Sequence, residues 1–134
     1  MQATLIVILV LHILSGVFWA GTTLVWARTG ANQADQFLRP QIGAAVIVLA
    51  TGALLWHLVH PGSFGTTEQI LAAGVLCAFV AAGVQGVSGG SALRKLSIAG
   101  ESEASLRHRV ATGQRVAAAF LMITVTCMAV ARYA

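Results

Sequence analysis

Residues Met1 to Ala27, MQATLIVILVLHILSGVFWAGTTLVWA, contain no Asp, Glu, Lys or Arg. A helix needs about 20 mostly apolar residues to cross about 30 Å of hydrocarbon, and this run supplies them. Three more stretches do the same. Pro40 to Thr67 and Gln69 to Leu93 carry no charge, and from Val110 to Ala131 the sole charged residue is Arg115. The expected fold is therefore all-α: an integral membrane four-helix transmembrane bundle forming one domain over residues 1–134. Its helices fall at about 3–28, 40–60, 68–93 and 106–132.

Composition agrees. Hydrophobic residues make up 57% of the chain and charged residues 9%, outside the range of soluble domains. The net charge of +4 is no nucleic-acid signal. The basic residues sit at helix ends, where loop charge bias and anionic lipid account for them. The expected partner is the bilayer, with no nucleic acid. No Lys or Arg precedes the first apolar run, which is longer than a signal-peptide core, so the first helix is expected to stay in the mature protein. Cys77 and Cys127 both lie inside spans, where a structural disulfide is not expected.

Arg28 and Arg39 flank the first connection, and Arg94, Lys95, Arg107 and Arg109 flank the third. The second, His60 to Glu68, has no Lys or Arg, and the C-terminal end has only Arg132. This asymmetry places connections one and three in the cytoplasm, giving an N-out/C-out topology. Arg39-Pro40 is expected to open the second helix, Pro61-Gly62 to follow its end, and Gly89-Gly90 to loosen the end of the third. Ser97 to Ser105 reads as a polar loop or short surface helix.

At about 1.5 Å per helical residue, His12 lies ~24 Å from Arg28 and His57 ~27 Å from Arg39. The same count puts Cys77 ~25 Å from Arg94, with Met122 and Cys127 close to that level. Two histidines at one level on neighbouring helices suit the two axial positions of a haem iron. Gly16 and Gly52, each one turn from a histidine, would leave room for a macrocycle, although close helix packing explains the same glycines. His60, beside Pro61, is a further candidate metal ligand or an interfacial residue, and His108 is expected among lipid headgroups. Cys77, Met122, Cys127 and Met128 are soft donors suited to copper, or core packing. Gln85 and Arg115 lie in the basic half of their helices. They could bond to each other, Arg115 could snorkel to the surface, or Arg115 could meet an anionic cofactor group. Trp19 reads as core, and Trp26, Trp56 and Tyr133 as interfacial belt residues. No hydrolytic motif and no carboxylate inside a span is present, which disfavours hydrolases and proton-coupled carriers.

Leu11-His12, Gly16, Trp19-Ala20-Gly21 and Arg28 resemble the first-helix signature of a bacterial superfamily. It includes copper-resistance D-type membrane proteins and HemJ-type protoporphyrinogen oxidases. The resemblance covers about a fifth of the chain. It implies a multi-pass protein of the bacterial inner membrane that holds haem b, with His12 carried over from the motif. His57 rests on the depth count alone. The third span lacks the Lys common in both branches, offering Cys77 and Gln85 instead. The leading expectation is a haem-b-binding protein carrying electrons near the outer leaflet, with quinone, a respiratory-type membrane complex or a second copy of the chain as partner. A cofactor-free accessory subunit is the alternative, and copper handling or porphyrinogen oxidation is the third.

Overall fold

The computed structural model describes residues 2–29, 34–60, 62, 64–96 and 103–134. Four helices account for nearly all of them: α1 (Gln2–Thr29), α2 (Ala34–Val59), α3 (Thr66–Leu96) and α4 (Glu103–Ala131). Each is long and apolar enough to cross a bilayer. The protein is a multi-pass membrane protein built as an all-α bundle. Helices α3 and α4 pack most extensively, then α1 with α2 and α1 with α4, while α2 and α3 touch less. The large apolar side chains of α1, among them Ile6, Val7, Leu14 and Val17, point outward, as a lipid solvent permits.

The interior is built from small residues. Ala44, Ala45, Val48, Ala78, Ala81, Ala117 and Leu121 surround one large side chain, Trp19, which is 1% exposed. Alanines let the helix backbones approach, and in lipid that close packing holds helices together where a hydrophobic driving force is absent. Glycines at the seams serve the same end. A Cβ at Gly89 would meet the methyl carbons of Leu38 at 2.8 and 2.9 Å, and one at Gly113 would overlap Ser88. At the other end of the α3/α4 seam, Thr124 donates to the Gly74 carbonyl at 3.0 Å.

Two boundaries differ from expectation. Pro40 does not open α2, which begins six residues earlier at Ala34. Pro40 has no N–H to return to the Gln36 carbonyl, yet the turn persists, and Leu38 within it docks onto Gly89. Helix α3 also runs through Gly89-Gly90 to Leu96, because Gly89 accommodates Leu38 rather than ending the helix. Trp26, expected at the interface, is buried, while Tyr133 is fully outward. Most of the polar stretch from Ser97 to Ser105 lies outside the described residues, and its last part already belongs to α4.

The α2–α3 connection is tied by local chemistry. The Gly62 φ of 103° is a conformation open to glycine. Glu68, in the first turn of α3, accepts from the Gly65 N–H at 2.8 Å, half of a capping box.

Candidate functional site

His12 lies on the inward stripe of α1, with Gly16, Trp19 and Thr23 following at helical spacing. Its Nδ1 is 3.0 Å from the Val48 carbonyl and 3.0 Å from Thr51 Oγ1 on α2. A carbonyl only accepts, and the Thr51 hydroxyl gives its own hydrogen to the Ile47 carbonyl at 2.6 Å. Nδ1 must therefore carry the proton and donate to both. Nε2 is left with a lone pair and, among the described residues, no hydrogen-bond partner. This is the tautomer of a metal-ligating histidine, whose second nitrogen is held by a backbone carbonyl. The ring lies against Gly52, where a Cβ would stand 3.1 Å from His12 Cε1.

His57 is not brought to this point. Its side chain is exposed, and it lies five residues beyond Gly52, about 140° around and ~7.5 Å along α2. The depth count missed this because Arg28 and Arg39 are not level. Arg28 is in the last turn of α1, whereas Arg39 is more than a turn inside α2. Counted from the helix ends, seventeen residues back from Thr29 is His12, and seventeen on from Ala34 is Thr51, the residue that it bonds. His60 is further still. Its Nε2 is 3.9 Å from Glu68 Oε1, its Nδ1 is buried with no hydrogen-bond partner among the described residues, and its ring packs on Trp56.

The basic half of the bundle holds a polar knot drawn from all four helices. Trp19 Nε1 donates to Gln85 Oε1 at 2.7 Å. Gln85 Nε2 donates to Thr23 Oγ1 at 2.9 Å and to Gln114 Oε1 at 3.0 Å. Gln114 Nε2 donates to Gln41 Oε1 at 3.3 Å, and Gln41 Nε2 to Thr23 Oγ1 at 2.7 Å. Thr23 closes the set by donating to the Trp19 carbonyl at 2.6 Å. The indole N–H can only donate, so it dictates which way the Gln85 amide points, then Gln114, then Gln41. Every side-chain nitrogen and oxygen of the five residues has a partner. Thr23 and Gln114 are wholly inaccessible. Thr23, Gln41 and Gln114 were not anticipated as site residues. Their signal was uncharged polarity inside a span, the property that singled out Gln85.

Arg115 does not bond to Gln85. Its Nε donates to the Ala27 carbonyl at 3.2 Å, serving an orphan carbonyl in the last turn of α1. Ala27 is fifteen residues, roughly 22 Å, from His12 along α1, too far for Arg115 to serve a macrocycle held by His12. Cys127 packs at Gly74, Cys77 is half-buried, and Met122 is outward. Among the described residues no three His, Cys, Asp or Glu side chains converge into a metal site.

Comparison with protein-family models, curated proteins and solved structures finds no match to the chain. Fit to a haem must therefore be judged on the residues. The donor chemistry of His12 fits, since Nε2 is a held, uncommitted lone pair. The expected cradle does not. The space beside Gly52 is taken by the His12 ring, and that beside Gly16 faces Val48 Cγ2 at 3.9 Å. Both glycines serve contact between α1 and α2.

Proposed function

We propose that this chain is a membrane protein holding a metal-bearing group, haem b in the leading reading, through the single ligand His12. The observation that carries it is the donation of Nδ1–H to the Val48 carbonyl, which leaves Nε2, among the described residues, without a hydrogen-bond partner. An unused nitrogen within a span is costly unless a ligand takes it. Haem would supply one-electron chemistry, with its potential set by ligand identity and burial. Val48 and Thr51 hold the ring, and Gly52 lets it lie flat against α2. His57 is exposed and faces away from this point, so it is not among the residues that would hold the group. Electron transfer near the outer leaflet of a bacterial inner membrane, with quinone or a respiratory complex as partner, follows from the same reading.

A second reading rests on the filled glycine seams and the satisfied polar knot. These favour a rigid accessory subunit that works through its lateral surface. The dithionite-reduced minus air-oxidised spectrum of protein purified in mild detergent separates the two. Sharp α and Soret bands near one haem per chain, lost in His12→Ala with the bundle still folded, support the first. A flat spectrum from folded protein made with ample haem leaves the second.

A further inference from the structure

Arg115 is the one charged residue in the apolar length of α4, and its side chain is exposed to the surroundings of the bundle. Its Nε is committed to the Ala27 carbonyl, so four guanidinium N–H groups remain. Arg28, the next residue after Ala27, is also exposed, and among the described residues neither arginine has a carboxylate partner. The Arg115 side chain thus crosses the α1/α4 seam to the residue beside Arg28, where the apolar spans reach the basic end. One turn from Arg115 towards that end lies Thr112, whose hydroxyl caps the His108 carbonyl, so the polar stripe continues along this face of α4. Beside it the wall is apolar and open, with Val25 56% and Val116 41% exposed. Guanidiniums above an apolar wall match a phosphate above acyl chains.

We propose that Arg115 and Arg28 form a binding site for the phosphate of an anionic glycerophospholipid. The site neutralises the cation in the apolar length of α4 and ties the end of α1 to α4. It is independent of any group at His12, which lies in the opposite half of the bundle.

The test is lipid retention by native mass spectrometry of the full chain in detergent, with phosphatidylglycerol, phosphatidylcholine or inorganic phosphate added. The expected result is selective retention of phosphatidylglycerol over phosphatidylcholine, with no competition from millimolar inorganic phosphate. Retention falls roughly fivefold in R115Q and in R28Q, the weight of one basic residue at an anionic surface, but stays near wild type in R109Q. R28Q removes no hydrogen bond or ion pair among the described residues, so it decides the matter if R115Q fails to fold. Equal retention of both lipids, or an equal loss in R109Q, overturns the site. Competition by inorganic phosphate would show a free-anion site instead.

Discussion

At the scale of single residues, two side chains set the chemistry of the interior. His12 links α1 to α2 through a nitrogen whose protonation state follows from its acceptors. Trp19 fills the alanine-lined core and orients the amides of the polar knot. Trp19→Phe keeps most of the volume but strands Gln85 Oε1, and should lower stability in detergent unfolding by about 1–2 kcal/mol. An unchanged midpoint would show that the indole N–H does not organise the knot. Gly52→Val should force the His12 ring off α2 and, on the proposed function, abolish haem retention while the helical circular dichroism remains. His12 was legible in the sequence because a histidine inside an apolar run demands a partner. Val48 was not, because a backbone carbonyl leaves no trace in residue type.

At the scale of elements, the seams are made by glycines, and their importance depends on what faces them. Gly113 stands against Ser88 and Gly89 against Leu38, whereas Gly83 has nothing within 4 Å. Valine at 113 or 89 should therefore cost about 1–3 kcal/mol by overpacking, and valine at 83 should be close to neutral in the same unfolding assay. Equal effects at the three positions would contradict the assigned packing. The four spans were readable from charge-free length alone, since the bilayer sets a minimum run. Their ends and mutual register were not. Arginines mark the basic end only loosely, and Pro40 sits inside α2 because Leu38 and Gly89 hold the preceding turn. That slip made His12 and His57 seem level when the helices place them apart.

At the scale of the whole molecule, the polar knot joins diagonal as well as neighbouring helices, so its members should act as a unit. Gln41 and Gln85 do not bond each other, yet both donate to Thr23 and Gln114. A double-mutant cycle of Gln41→Leu and Gln85→Leu should show a coupling of about 0.5–3 kcal/mol, and strict additivity would reduce the knot to separate contacts. The central claim is that one histidine, rather than a pair, offers the ligand atom. The most direct measurement is haem titration of cofactor-free protein in detergent, following the Soret band in wild type, His12→Gln and His57→Gln. The account predicts saturable binding in wild type and His57→Gln, and its loss in His12→Gln. Binding that survives His12→Gln but fails in His57→Gln, or no binding to folded wild-type protein, would contradict it.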